Sequence, residues 1–218
     1  MIVINFDEYN LNRDAILGDL AKSLFVYPTD TIYGIGCNAL DEKLVGRIRK
    51  IKGSGQTFEQ PFSVIVPNKE WIYANCVVTE EAEEWIRKLP GPYTLIMKMK
   101  NPKAVAMNVH NIKGKDITLG IRMPNHWFLA VAYNLKFPVV TTSANISGQN
   151  FMTSLEDLDN DIRRNVDYVF YDGPKIGRPS TIIHLEGSKI MITPRTERFS
   201  RGVKINFPLE EIQLTRKK

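Results

Sequence analysis

The chain has 218 residues, 43% of them hydrophobic, and a formal net charge of +5. That apolar content suffices for one sizeable core, and the sequence holds no run of about 18 apolar residues that could span a membrane. Two cysteines (Cys37, Cys76) and three scattered histidines (His110, His126, His184) exclude a disulfide framework and offer no zinc-ligand spacing. The opening Met1 to Asp7 has none of the regions of a signal peptide, so a soluble cytoplasmic protein is expected. The charge is uneven. Residues 195–218 carry seven Lys/Arg against three Glu, which suits either a solvated basic tail or a phosphate or RNA contact.

Ile2 to Asn5 reads as a strand, and Asn10 or Asn12 can cap a helix with Ala15, Ile16, Leu20 and Leu24 at helical spacing. Leu24 to Tyr27 is a buried strand ended by Pro28, and Thr29 to Gly36 follows as an Asx-type or ligand-binding turn. Asp41 caps a helix over residues 42–52 with Leu44, Val45, Ile48 and Ile51 inward. Phe62 to Val66 is a strand. Thr79 caps a helix to Leu89, Pro90-Gly91-Pro92 breaks it, and Tyr93 to Lys98 is a strand covered on both faces. Residues 101–115 show little pattern and suit an excursion or lid. Ile117 to Pro124 is a strand with Arg122 at its end, Asn125 caps a helix through Leu135, and Phe137 to Val140 leads into Ser143-Ala144-Asn145-Ile146-Ser147-Gly148. Thr153 or Ser154 begins an acidic helix, Val166 to Tyr171 is a strand, and a hairpin through Glu186-Gly187-Ser188 precedes Arg195, Arg198 and Arg201. About seven or eight short strands with four or five helices imply a mixed sheet in an α/β (mixed α+β) domain.

Three strands end in short polar residues and are expected to converge on one pocket: those leading to Thr31, Arg122 and Ser143. Thr31, Ser63, Arg122, Thr141, Ser143, Asn145 and Ser180, with Lys52 and the Arg195 cluster near by, form an inventory of donors with Asp30 the only nearby carboxylate. Such a set is an anion receptor. The chain lacks HExxH, a P-loop and paired catalytic carboxylates, which disfavours hydrolase and metalloprotease readings. A site of this type catalyses attack on a nucleotide phosphate by positioning and charge neutralisation, with Mg²⁺ held by the nucleotide itself and no metal ligands from protein side chains.

Several blocks resemble the YrdC/Sua5 (TsaC) family: YPTDTIYGIGCNAL from Tyr27, the Arg49 to Gly53 helix end, Gln60 to Val66, PGPYTLIMK from Pro90, LGIRMP from Leu119, TTSANISGQ from Thr141, and Pro179 to Ile183. The resemblance implies a twisted mixed parallel/antiparallel sheet with flanking helices and a concave basic face over residues 1–202, with 203–218 a basic C-terminal tail. It resembles the short form, without the second domain of longer Sua5 members. It implies an L-threonylcarbamoyladenylate synthase, joining L-threonine, bicarbonate or CO₂ and ATP into threonylcarbamoyl-AMP and pyrophosphate for tRNA t6A modification, alongside proteins that complete t6A. By the same resemblance Thr31, Arg122, Thr141 and Ser180 hold L-threonine, while Lys52, Thr118, Ser143, Asn145 and Arg195 hold ATP. No catalytic base is implied; Lys52, Arg122, Ser143 and Asn145 position the reactants.

One departure stands out. The family's Lys-x-Arg at the helix end is Lys52-Gly53-Ser54 here, and the following loop to Gln60 is two residues longer. Loss of one charged phosphate contact costs about 1.5–3 kcal/mol. Arg47, Arg49 or an arginine of the C-terminal cluster could take its place, and Arg201-Gly202 matches the family's closing Arg-x-Gly as well as Arg195 matches its role. The alternative is a non-catalytic paralogue that binds tRNA or double-stranded RNA on the basic face.

Overall fold

The computed structural model of the chain describes residues 1–53, 61–113, 116–175 and 178–194. Ser54, Arg195, Arg198, Arg201 and the 203–218 tail lie outside the described residues. The strands are β1 (Ile2–Ile4), β2 (Phe25–Tyr27), β3 (Gly34–Gly36), β4 (Ser63–Ile65), β5 (Tyr93–Lys98), β6 (Asn111–Lys113), β7 (Asp116–Arg122), β8 (Val139–Ser143), β9 (Tyr168–Phe170), β10 (Thr181–His184) and β11 (Met191–Thr193). The helices are α1 (Phe6–Leu11), α2 (Arg13–Leu20), α3 (Glu42–Lys52), α4 (Lys69–Asn75), α5 (Glu80–Arg87), α6 (Phe128–Leu135) and α7 (Asn160–Asn165).

All eleven strands form one mixed sheet in the order β1-β9-β2-β3-β8-β4-β7-β5-β10-β11, with β6 also paired to β7. Four pairings are parallel, β1/β9, β2/β9, β4/β7 and β5/β10. The mixed α/β class expected from the sequence is therefore the observed one. The strand number is higher than the pattern suggested, because several strands are three residues long and β3 reads Gly-Ile-Gly. Glycine is disfavoured in strands unless another group approaches closely. Here Tyr27 fills that role. A Cβ on Gly34 would stand 2.9 Å from its ring, and one on Gly36 would meet the Val140 carbonyl oxygen at 2.2 Å.

The two faces of the sheet are covered differently. One face buries Val26, Ile35, Val64, Val140, Leu95, Leu119, Ile121 and Ile183 against α3, α5, α7 and α4, with Leu44, Val45, Ile48, Ile72, Ile86 and Ile162 in a continuous core. The other face buries Phe25, Tyr27, Ile65 and Val139 with Ile16 and Leu20 of α2 and Phe128, Val131 and Leu135 of α6. Tyr27 stacks on Phe128 with centroids 4.3 Å apart and planes 8° from parallel. This second cluster covers β1, β9 and β2 and, through Val139 and Ile65, one end of β8 and β4. The rest of that face, over β7, β5, β10 and the other end of β8 and β4, is left open.

Helix starts follow cap chemistry. The Asp41 start is as the sequence suggests, with its side chain accepting from the N–H groups of Lys43 and Leu44, whereas Asn12 stands at the start of α2 without a capping hydrogen bond from its side chain. Asn5 builds a capping box with Glu8, and Asn68 caps α4, two short helices too brief for periodicity to reveal. Asn125 does not cap α6. The helix starts at Phe128, whose N–H donates to the His126 ring, and the Asn125 N–H donates to Asp30 at 2.9 Å. Ser154 opens a single 3₁₀ turn, Leu155–Asp157, and the helix proper starts later, capped by Asp159. Within 101–113 the chain makes a 3₁₀ turn and then pairs β6 with β7, so the last three of these residues are sheet edge. No helix among the described residues is long and apolar enough to cross a membrane.

Candidate active site on the open half of the sheet

The open half of the sheet floors a cavity of about 350 Å³, lined by Gly34, Phe62, Ser63, Thr94, Thr118, Arg122, Thr141, Ser143, Ser180, His184 and Glu186 among others. That is within the size range of small-molecule sites. Strand register orders the floor. His184, Ile96, Gly120, Ser63 and Thr141 are successive partners across β10, β5, β7, β4 and β8, making one cross-strand row. Two residues along β7 on one side of that row stands Arg122. Two residues along on the other side stands Thr118, and β8, running antiparallel to β4, places Ser143 on that same side. Alternate residues share a face, so all these side chains rise together.

Arg122 forms the first cluster. Its guanidinium donates to Thr31 Oγ1 at 3.1 Å and lies 3.7 Å from Asp30 Oδ1. The hydroxyl protons follow by elimination. Thr29 Oγ1 donates to the Ile32 carbonyl at 2.7 Å, so in its 2.8 Å contact with Thr31 it accepts. Thr31 thus donates to Thr29 and accepts from Arg122. An arginine held in this way, buried at a strand end, presents a fixed fork to a carboxylate. Thr94 and Ser180, both buried, share a 2.8 Å hydroxyl contact on the same wall. Thr141 borders the cavity beside Tyr27, whose hydroxyl is driven upward by burial, with its hydrogen bond to Thr141 opposing the shift.

The second cluster is the loop after β8. Lys52, the last residue of α3, is buried, and its ammonium donates to the carbonyls of Ser143 and Asn145, each at 2.8 Å. The Asn145 amide donates to the carbonyls of Ile146 and Gln149, and its side-chain oxygen accepts from the Ser143 hydroxyl. The Ser147 N–H returns to the Lys52 carbonyl, and Gly148 supplies the left-handed φ of +84° that closes the loop. Lys52 and Asn145 therefore shape the loop, while Thr142 and Ser143 border the cavity. Burial lowers the Lys52 pKa to about 8.

Of the arginines considered as replacements for the absent family arginine, Arg47 donates to the Asn165 carbonyl and Arg49 to the Asn108 carbonyl at 2.6 Å while lying over the Phe62 ring. Both donate to main-chain carbonyls of other segments. The structure also adds two residues to the polar lining, one of them a carboxylate that accepts rather than donates. His184 and Glu186 border the cavity and touch, Nδ1 to Oε1, at 3.2 Å. The sequence signal for them was the alternation Ser180, Ile182, His184, which puts every second residue on the face of Ser180. Among the described residues no group of three or more His, Cys, Asp or Glu could hold a metal ion.

Comparison with known proteins agrees with this geometry. Residues 21–195 match the Sua5/YciO/YrdC family model, described as "Telomere recombination". The chain is 37% identical over 193 residues to a candidate threonylcarbamoyl-AMP synthase of Methanocaldococcus jannaschii, covering 84% of this chain and 88% of that one. It is 32% identical to the threonylcarbamoyl-AMP synthase of Pyrococcus abyssi over 87% of its own length, but spans only 52% of that protein. The structure of P. abyssi Sua5 with L-threonine superposes with a TM-score of 0.76 at 29% identity, covering 88% of this chain and 56% of that one. With the strand-end clusters, the matched span and these likenesses in agreement, the chain belongs to the Sua5/YciO/YrdC family.

Proposed function

We propose that this chain is an L-threonylcarbamoyladenylate synthase, a nucleotidyltransferase that makes threonylcarbamoyl-AMP and pyrophosphate from L-threonine, bicarbonate or CO₂ and ATP, for t6A modification of tRNA. The observation that carries the reading is the arrangement of Arg122 and Ser143 on opposite sides of one cross-strand row of a single cavity wall. Arg122, braced by Thr31 and Asp30, receives the threonine carboxylate, with Thr141 and Ser180 beside it. Ser143 and Thr118 face the nucleotide phosphates on a loop fixed by Lys52 and Asn145, and Arg195 is proposed to join them. Mg²⁺ arrives bound to ATP as part of the substrate.

The carbamate oxygen attacks the α-phosphate and pyrophosphate leaves. Holding the two anions at fixed separation supplies orientation, and hydroxyls, main-chain amides and the buried Lys52 charge offset the developing negative charge. ATP, bicarbonate, proteins that complete t6A and a tRNA contact on the basic face belong to the same reading, as does a cytoplasmic location. The names of the relatives favour synthesis over RNA binding without catalysis.

The test is pyrophosphate release with ATP, Mg²⁺, bicarbonate and labelled threonine. Release should depend on threonine, and Arg122→Ala should raise the threonine concentration required by about 10–100-fold, the equivalent of one charged hydrogen-bonding group. Release that ignores threonine would sink the reading.

A further inference from the structure

The cavity contains one pair that the reaction above leaves unused. His184 and Glu186 meet through Nδ1 and Oε1 at 3.2 Å. An ionised carboxylate only accepts, so the imidazole proton sits on Nδ1, and Nε2 is the nitrogen left with a lone pair. Among the described residues Nε2 makes no hydrogen bond. This is the arrangement in which a carboxylate orients a histidine and stabilises its cation when it takes a proton.

The position of the pair gives it a substrate. Making the carbamate from threonine and bicarbonate releases one proton: R–NH₃⁺ + HCO₃⁻ gives R–NH–COO⁻, H₂O and H⁺. The new N–C bond forms from the amine lone pair, so the ammonium must be deprotonated first. A carboxylate on Arg122 and phosphates on Ser143 and Thr118 leave the amino group over the row between them. That row is His184, Ile96, Gly120, Ser63 and Thr141. Gly120 in its middle carries no side chain, and the Ser63 hydroxyl lies against it. His184 stands two strands away, about 10 Å backbone to backbone, a gap that an imidazole and one bridging water span.

We infer that His184 is the base that accepts the proton released when threonine's amino group becomes the carbamate, with Glu186 orienting its ring. The inference rests on the synthase reading. The proton passes from the ammonium, directly or through a water, to Nε2, and the imidazolium is stabilised by Glu186. The groups around His184 are consistent with this. Arg122 on β7 and Tyr33 before β3 are the other titratable groups on the cavity wall, β5 presents Ile96, and β11 places Met191 opposite. Arg122 across the cavity keeps the carboxylate end of threonine away from Glu186.

The experiment compares full-length wild type with His184→Gln in threonine-dependent pyrophosphate release. At neutral pH the variant's kcat should fall by about a hundredfold or more, with threonine and ATP binding unchanged. The deficit should shrink as pH rises and threonine's own amine becomes free. Glu186→Gln, which keeps the histidine but loses the charged acceptor that orients it, should lower kcat with the KM for threonine unchanged. A wild-type rate for His184→Gln at neutral pH, or a deficit equal at all pH values, overturns the assignment of His184 alone. Absence of threonine-dependent release from the wild type instead defeats the synthase reading itself.

Discussion

Lys52 and Asn145 are joined twice, through the Asn145 carbonyl at 2.8 Å and its side-chain oxygen at 3.4 Å. The last residue of α3 thereby fixes the loop after β8, two regions 93 positions apart in sequence. The ammonium stays buried because several oxygens accept from it, which offsets the cost of removing the charge from water.

That burial makes the Lys52 contribution to stability pH-dependent. Its pKa is lowered by burial from 10.5 to about 8. Below about pH 8 both folded and unfolded chains hold the proton, and the full cost of burying the charge is present. Between about 8 and 10.5 the folded chain releases it first while the unfolded chain still binds it, so this contribution to stability rises with pH. The difference in unfolding free energy between wild type and Lys52→Met should therefore increase across that window, by at most about 1.4 kcal/mol per pH unit. Denaturant titrations at several pH values check this; a difference that is flat or falling counts against it.

Gly120 has no room for a side chain. A Cβ there would sit 2.2 Å from Ser63 Oγ and 2.9 Å from Ser63 Cβ. Gly120→Ala should cost about 1–3 kcal/mol through overpacking and lower activity, since the displaced residues floor the cavity. Gly120→Ala combined with Ser63→Gly should recover part of that stability. A double variant no more stable than Gly120→Ala places the strain elsewhere.

Arg49 is a clamp. Its guanidinium reaches the Asn108 carbonyl from Nε at 3.2 Å and from the terminal nitrogen at 2.6 Å, and lies 4.4 Å from the Phe62 ring centre. The Asn108 amide in turn donates to the Glu42 carbonyl at the start of α3. Removing the fork leaves a buried carbonyl without that donor, so Arg49→Ala should destabilise the fold by about 1–3 kcal/mol. Arg49→Lys should restore only part of it, because one ammonium cannot reproduce the fork and the stacking together. Equal stability of the lysine variant and wild type would show that charge alone matters. Unfolding free energies from denaturant titration decide between these outcomes.

The sequence alone determined much of the local structure. Asp41 and Thr79 mark helix starts because a short side-chain oxygen satisfies free N–H groups wherever the helix sits. Apolar runs marked β5, β7 and β8, and the motif blocks marked the family, because these signals reside within a few consecutive residues. Thr31, Arg122, Thr141, Ser143 and Ser180 were legible as strand-end donors for the same reason, and the structure brings them to one wall. The acidic helix proposed from Thr153 or Ser154 failed because a capping box can close a single turn without a longer helix following it.

Other features required the tertiary structure. Gly34 and Gly36 read as a turn until Tyr27 was seen to cover them from the neighbouring strand. Lys52 reads as a phosphate contact, and packing adds that its ammonium is tied to the loop it supports. The alternation from Ser180 sets only the face that His184 shares with it, and the place of His184 in the cross-strand row depends on β10 joining β5 in parallel register. Chain-local chemistry sets caps, strand ends and motifs. Which of those ends face the same open half of the sheet is set by strand order, a sum of long-range pairings that no single stretch of sequence contains.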